Sequence, residues 1–128
     1  MNENEIAKIV VDLAYQIHTR LGPGLLESAY QAVLAYELHK KGLRFQTEVN
    51  MPVHYDGITV DAGYRADIIV ENLVILELKS VEKIHDVHKK QLLTYLKISD
   101  MHLGLLINFG AATIKEGITR IVNRLPEK

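Results

Sequence analysis

The sequence predicts an α/β fold in which a central mixed sheet is flanked by helices. Two segments near the N-terminus carry apolar residues at helical spacing. After Gly42 the pattern changes to short runs rich in β-branched and aromatic residues, which is typical of strands. A third helical segment and a strongly apolar strand follow, so helices and strands both contribute to the predicted core.

Three helices are predicted. The first covers Ile6 to Ile17 and ends before Leu21-Gly22-Pro23-Gly24, because proline lacks an N–H donor and glycine permits unusual backbone angles. The second runs from Leu26 to Leu38, and Gly42 gives it a C-terminal stop after a basic run. The third covers Asp86 to Ile98 and turns a leucine face inward.

The remaining segments are predicted to be strands. An Asp-Gly pair at residues 56–57 predicts a hairpin turn, and the short connection at Glu71-Asn72 predicts a second, central antiparallel hairpin. The last segment is predicted to be an edge strand. The predicted strands are Arg44 to Val49, Met51 to Tyr55, Ile58 to Asp61, Tyr64 to Val70, Leu73 to Lys79, Leu103 to Phe109 and Ile114 to Val122.

Length and composition predict one domain over residues 1–128, since 48% apolar and 24% charged residues are ordinary values for a globular protein. The absence of cysteine excludes disulfides, thiolate metal sites and sulfur nucleophiles. The N-terminal segment lacks the basic start and unbroken apolar run of a signal peptide, and no run is long enough to span a membrane. A cytoplasmic location and no membrane partner are therefore expected.

Two charged residues interrupt the predicted strand that ends at Lys79. Because side chains alternate between the faces of a strand, Glu77 and Lys79 share the face of Ile75. Asp67 lies ten positions before Glu77 on the preceding strand. A three-residue loop from Glu71 to Leu73 places the two carboxylates opposite each other, whereas a two-residue loop places them on opposite faces.

Such a carboxylate pair suits a hard cation. Mg²⁺ usually takes one or two carboxylates and keeps several waters for substrate phosphates. The neighbouring Lys79 is then positioned to stabilise a phosphoryl charge or to orient an attacking water. From the spacing alone, a salt-bridge cluster of Asp67, Glu77 and Lys79 at the end of a sheet is an equally good interpretation.

Asp67, followed after a hairpin-sized gap by Glu77-Leu78-Lys79, resembles the PD-(D/E)XK nuclease signature, with Ala66 where the signature has proline. The segment Gly24-Leu25-Leu26-Glu27-Ser28-Ala29-Tyr30 resembles the G-x-x-E-x-x-Y motif of the GxxExxY protein family, whose members carry a PD-(D/E)XK-type core. The resemblance continues through the residue 91–96 helix and Asn108-Phe109-Gly110. It implies a nuclease-like core of αβββαβ type.

The resemblance also implies roles for individual residues. A helix glutamate in such proteins often reaches the metal directly or through water, although Glu27 at a helix start also complements the helix dipole. Gln91 and Tyr95 match a Q-x-x-x-Y element, or alternatively form the solvated side of an amphipathic helix. The implied metal ligands are Glu27, Asp67, Glu77 and the backbone carbonyl of Leu78; the implied catalytic residues are Asp67, Glu77, Lys79 and Gln91; Tyr30 and Tyr95 support them.

The leading hypothesis is a Mg²⁺- or Mn²⁺-dependent phosphodiesterase acting on nucleic acid, either DNA or RNA. The alternative is a binding or adaptor module that keeps the nuclease fold without hydrolysis. A net charge of −1 and a pI near 6.6 favour the alternative, because avid nucleic-acid binders are usually basic. The intact set of Asp67, Glu77 and Lys79 favours the enzyme. The sequence leaves open whether the chain forms a homodimer.

His85 and His88 have the i, i+3 spacing of a metal pair but no evident third ligand.

Overall fold

The structure, a computed structural model, describes residues 1–126. The helices are α1 Glu3–Leu21, α2 Glu27–Lys40, α3 Asp86–Ser99 and the short α4 Ile114–Gly117. The strands are β1 Phe45–Asn50, β2 Val53–Tyr55, β3 Ile58–Val60, β4 Arg65–Val70, β5 Val74–Lys79, β6 Leu103–Asn108 and β7 Ile118–Val122. No helix within residues 1–126 is long and apolar enough to cross a membrane.

The main sheet has five strands in the order β1-β4-β5-β6-β7. Strands β5 and β6 are parallel, because α3 carries the chain back between them, and the other neighbours are antiparallel. The predicted mixed sheet flanked by helices is therefore confirmed. Strands β2 and β3 form a separate two-stranded hairpin, in which Asp56 and Gly57 adopt φ values of 47° and 81° as a tight hairpin turn requires.

Helices cover both faces of the sheet. On one face α1 and α2 pack over a cluster that includes Ile68, Leu76 and Leu78. On the other face α3 packs through Leu92 and Leu96 over Ile69, Ile75 and Leu106. Residues of β5 alternate between the two clusters, as the pleat requires, and in β4 Ile68 and Ile69 do the same, although the small Ala66 also joins the α3 cluster. Asp67 has the parity of Ile69 and Glu77 that of Ile75, so both carboxylates belong to the α3 face.

The last predicted strand is wrong in its first half. Residues 114–117 form the helical turn α4, and only Ile118–Val122 pairs with β6. Thr113 begins the turn, since its Oγ1 accepts a hydrogen bond from the backbone N–H of Glu116 at 3.4 Å. The predicted strand Met51 to Tyr55 is also shortened and begins at Val53, because Pro52 has no N–H donor.

Candidate active site

Asp67 and Glu77 lie side by side on β4 and β5. The register pairs Ile68 with Leu76, and continuing it by one residue places Asp67 opposite Glu77. The backbone N–H of Asp67 donates a hydrogen bond to Oε2 of Glu77 at 2.8 Å, and the N–H of Leu78 donates to Oδ2 of Asp67 at 2.8 Å. The connecting loop is Glu71 to Leu73, so the three-residue alternative is the one that the chain adopts.

Burial makes this pair of carboxylates electrostatically costly. Glu77 is only 5% exposed, and burial raises its pKa from 4.5 to about 8, with the charge of Asp67 as the next contribution. Asp67 is half-buried, and burial raises its pKa as well, against the lowering effect of the hydrogen bond from Leu78. The two carboxylates are therefore close together where water solvates them poorly, and a bound cation would offset their negative charges.

Lys79 lies two residues beyond Glu77, at the end of β5 and on the same face. Its charge lowers the pKa values of Asp67 and Glu77, although less than burial raises them. Within residues 1–126, Lys79 forms no salt bridge. The salt-bridge cluster that the sequence allowed is therefore absent from the described part of the chain, and the ammonium remains available to a ligand.

Glu27 is the first residue of α2 and is exposed. Its charge raises the pKa of Asp67, but it is the last and smallest of the causes. No group of three or more His, Asp or Glu side chains in residues 1–126 lies close enough to hold a metal ion. Asp67 and Glu77 thus form a pair, and Glu27 does not complete a three-carboxylate ligand set with them among the described residues.

The donor set nevertheless fits a divalent cation that keeps part of its hydration. Asp67 and Glu77 each have one carboxylate oxygen, Oδ1 and Oε1, outside the hydrogen bonds described above. Two carboxylates with waters satisfy Mg²⁺. Leu78 can contribute only its backbone carbonyl, because its side chain has no donor atom and packs in the cluster under α1 and α2.

Tyr95 and Gln91 occupy the inner side of α3. Tyr95 is 4% exposed, and its pKa is raised by burial and then by the charge of Glu77. Its ring also contacts that of Tyr64, with centroids 6.2 Å apart and an interplanar angle of 60°. Gln91 is half-buried and lines a cavity of about 340 Å³ beside both tyrosines. Neither residue belongs to a fully solvated helix face, which was the alternative interpretation.

His85 and His88 do not form a metal pair. The backbone N–H of His85 donates a hydrogen bond to Nδ1 of His88 at 3.1 Å, so this nitrogen of His88 serves the start of α3. No third ligand completes them among the described residues. The pKa of His88 is lowered by burial and then by the charge of Lys79.

Tyr30 braces the loop that precedes Glu27. Its hydroxyl donates to the carbonyl of Gly22 and accepts from the N–H of Leu25 at 3.1 Å. Its ring stacks on Phe109, with centroids 4.4 Å apart and planes within 6°. The carbonyl of Leu25 in turn accepts from Oγ of Ser80 at 2.6 Å, so the loop is fastened to the chain directly after Lys79.

Asn108 holds the same stretch of chain and was not identified by its chemistry in the sequence. It pairs with Lys79 in the β5–β6 register and is 2% exposed. Its Oδ1 accepts from the N–H groups of Val81 and Gly110, both at 3.0 Å, and its Nδ2 donates to the carbonyl of Val81 at 2.9 Å. A Cβ at Gly110 would lie 2.5 Å from the oxygen of Val81, so only glycine fits.

A fourth carboxylate near the site, Glu48, was also missed. It lies on β1 opposite Asp67, between the register pairs of Thr47 with Ile68 and Val49 with Ala66. It is exposed, has a φ of 50°, and its charge raises the pKa values of both Asp67 and Glu77. Local spacing carries no signal for it, because its proximity depends on the pairing of β1 with β4.

The mixed sheet, its two helical layers and the Asp67, Glu77 and Lys79 cluster define a nuclease-like α/β protein. The family model of the PD-(D/E)XK nuclease superfamily matches residues 4–121, and the chain belongs to this superfamily. Membership of this superfamily suggests nuclease activity. Nucleases of the superfamily typically use divalent metal ions, and their substrate is nucleic acid. Comparison with curated proteins and with solved structures gave no match.

Proposed function

We propose that this protein is a divalent-metal-dependent phosphodiesterase that cleaves nucleic acid. The observation that carries the proposal is the pairing of Asp67 and Glu77 across two strands, next to a lysine that has no salt bridge within residues 1–126. Carboxylates that were purely structural would be expected to pair with that lysine. We further propose that the chain belongs to the GxxExxY family, acts in the cytoplasm and forms one domain over residues 1–128.

In this proposal Asp67 and Glu77 hold Mg²⁺ or Mn²⁺ through their remaining oxygens, and the carbonyl of Leu78 contributes a further ligand. Glu27 acts through an intervening water, because it is exposed at the start of α2. A bound divalent cation supplies charge neutralisation for a phosphodiester at this place. The backbone hydrogen bonds to Asp67 and Glu77 orient both carboxylates in advance.

Lys79 stabilises the charge that develops on the phosphate and orients the attacking water. Gln91 lines the cavity beside Tyr95 and is proposed to position the substrate. Tyr95 is proposed to support the carboxylates of Asp67 and Glu77 from the α3 face of the sheet. Asn108 and Tyr30 are proposed to keep the chain directly after Lys79 in place, Asn108 through its bonds to Val81 and Tyr30 through the loop that binds Ser80. Each of these roles belongs to residues of one continuous region at the end of β5.

A non-catalytic binding module is the second candidate function. It is favoured by the net charge of −1, since most of a small nucleic-acid-binding surface is expected to be basic. The two candidates differ in what they require of Lys79. An enzyme needs its charge at the reacting phosphate, whereas a binding module needs it only if the partner contacts this residue.

The test combines metal binding with cleavage. Mg²⁺ and Mn²⁺ are titrated calorimetrically into wild type and Asp67→Asn, and single- and double-stranded DNA and RNA are incubated with each protein and metal. We expect wild type to bind metal and cleave at least one substrate, and Asp67→Asn to lose both. Metal binding without cleavage of any substrate would favour the binding module. Equal metal binding by both proteins would show that Asp67 is not part of the metal site.

A further inference from the structure

The cavity beside Tyr64 and Tyr95 lies next to the proposed active site. It has a volume of about 340 Å³ and lies where α3 faces the β2 strand and the start of β4. Tyr95 belongs to both places, since it lines the cavity and packs in one buried cluster with Ala66 and Ile75, close to Asp67 and Glu77 along their strands. The charges of Glu77 and Asp67 also raise its pKa. Tyr64 lies only three residues before Asp67 on the same stretch of chain. The cavity therefore adjoins the carboxylate pair, within reach of a group attached to a ligand bound there.

The aromatic wall of the cavity is both exposed and held in place. Tyr64 is 44% exposed, and its inner side rests against the buried ring of Tyr95. A tyrosine has few rotatable bonds, so presenting its free face costs little conformational entropy. Flat rings of this kind are the usual platform for unpaired nucleobases, because every base has a π-face.

The other walls add apolar and polar groups that suit a base attached to a phosphate chain. Val53 and Ile98 line the cavity with apolar surface, whereas Gln91 carries an amide that both donates and accepts hydrogen bonds. Lys90 lines the same cavity. Its positive charge complements a phosphodiester backbone in a chain whose net charge is −1.

We propose that this cavity, the Tyr64 site, takes an unpaired nucleobase next to the scissile phosphate, so that the substrate is single-stranded or locally unpaired nucleic acid. A base inside an intact duplex is stacked and paired, and cannot enter a cavity without being extruded. The inference rests on the proposed function, because it assumes that a phosphodiester lies at Asp67 and Glu77. Tyr64 is the stacking residue and Gln91 contacts the base edge.

The test measures base-dependent binding without cleavage. A fluorescent single-stranded oligonucleotide of about 12 nucleotides, and an abasic oligonucleotide of equal length and charge, are titrated with protein in EDTA and followed by anisotropy. We expect wild type to prefer the oligonucleotide with bases. Tyr64→Ala should weaken binding of that oligonucleotide roughly 5- to 100-fold and leave the abasic one unchanged, whereas Tyr64→Phe should bind as wild type does.

A second variant guards against loss of folding in Tyr64→Ala. Thr94 lines the cavity from an exposed position on α3, so Thr94→Phe should fill the space while Tyr64 stays in place. It should reduce binding of the base-containing oligonucleotide in the same way. The matched control is Tyr55→Ala, which removes a tyrosine that is 72% exposed on β2 and should change neither affinity.

The outcomes separate this inference from the proposed function. Equal affinity of wild type for both oligonucleotides, or unchanged affinity in both Tyr64→Ala and Thr94→Phe, overturns the Tyr64 site. The same oligonucleotides are then incubated with Mn²⁺. Cleavage of the base-containing and abasic oligonucleotides at equal rates would support the phosphodiesterase and contradict the Tyr64 site. Base-dependent binding without cleavage in Mg²⁺ or Mn²⁺ leaves the Tyr64 site standing and removes the phosphodiesterase.

Discussion

Asp67 donates its backbone N–H to the carboxylate of Glu77 at 2.8 Å, so the two acidic residues are joined by a hydrogen bond as well as opposed by charge. This bond favours the ionised form of Glu77, but burial outweighs it and raises the pKa to about 8. The strand pairing thus holds both carboxylates at one place regardless of their protonation. Without a cation, ionising both of them reduces the stability of the folded state.

Stability without divalent metal should therefore fall as pH rises. The unfolded chain releases the proton of Glu77 near pH 4.5, whereas the folded protein keeps it to about pH 8. Between these values the folded state binds more protons, so the free energy of unfolding decreases with pH by up to about 1.4 kcal/mol per unit. The raised pKa of Asp67 acts in the same direction. Urea unfolding in EDTA across this range measures the slope.

The matched variant for this slope is Glu77→Gln, whose amide oxygen still accepts from Asp67 but does not ionise. Its unfolding free energy should change much less with pH over the same range. Mn²⁺ should restore wild-type stability at the alkaline end and leave the variant almost unchanged. Parallel pH profiles for the two proteins would show that Glu77 is not the group responsible.

Lys79→Ala and Glu77→Gln should impair different properties of the protein, cleavage in the first and metal affinity in the second. Glu77→Gln removes a ligand charge and should weaken Mn²⁺ binding, whereas Lys79→Ala removes a positive charge and should leave the Mn²⁺ affinity unchanged or slightly higher. Cleavage by Lys79→Ala should nevertheless fall about 10²-fold or more. Calorimetry and a cleavage assay separate the two effects. Lys83→Ala, which removes an exposed lysine of the following loop, is the control. Loss of metal affinity in Lys79→Ala would contradict its assigned role.

Patterns within single segments were enough to predict most of the fold and the central pair. Periodicity gave α1, α2 and α3, and the ten-residue separation of Asp67 and Glu77 allowed their pairing. The spacing did not decide between a two- and a three-residue loop. The structure decides it through the register, in which Val70 pairs with Val74 and leaves three residues between the strands. Glu71 and Asn72 turn the chain with positive φ values of 52° and 54°.

What the sequence did not predict depends on contacts between distant segments. Glu48 reaches the site only because β1 pairs with β4, and Asn108 acquires its role only because β6 runs parallel to β5. The turn α4 has apolar residues that fit a strand equally well. Its helical geometry is associated with Thr113 at its start and with Gly117, which approaches the carbonyl of Asn108 too closely for a side chain.

Asn108→Ala should destabilise the fold substantially. It leaves the N–H groups of Val81 and Gly110 and the carbonyl of Val81 without their side-chain partner in a half-buried region. An unmatched group of this kind costs about 1–3 kcal/mol, so a loss of about 2–4 kcal/mol in unfolding free energy is expected. Asn108→Asp keeps the acceptor, and its protonated carboxyl group also keeps a donor for the carbonyl of Val81, so at a pH low enough to protonate it this variant should lose less. Equal losses for both variants, measured by urea unfolding, would mean that the acceptor oxygen is not what matters.

Tyr30→Phe should separate the two contributions of this tyrosine. The variant keeps the ring that stacks on Phe109 but loses the hydroxyl that joins Gly22 to Leu25. Because this loop lies at the surface, water can replace the lost bonds, and the unfolding free energy should fall by only about 1 kcal/mol. The loop also contacts Ser80, next to Lys79. The cleavage rate should therefore fall by more than the small loss of unfolding free energy accounts for.

The control for this prediction is Tyr36→Phe, which alters a tyrosine on the same helix that is 62% exposed and should change neither quantity. Metal affinity is measured in parallel. Since Tyr30 touches none of the proposed direct ligands, Tyr30→Phe should keep the wild-type affinity for Mn²⁺ while losing activity. If cleavage is unchanged although the loop bonds are removed, the position of Lys79 does not depend on the Tyr30 loop, and Tyr30 serves only the packing of α2 against Phe109.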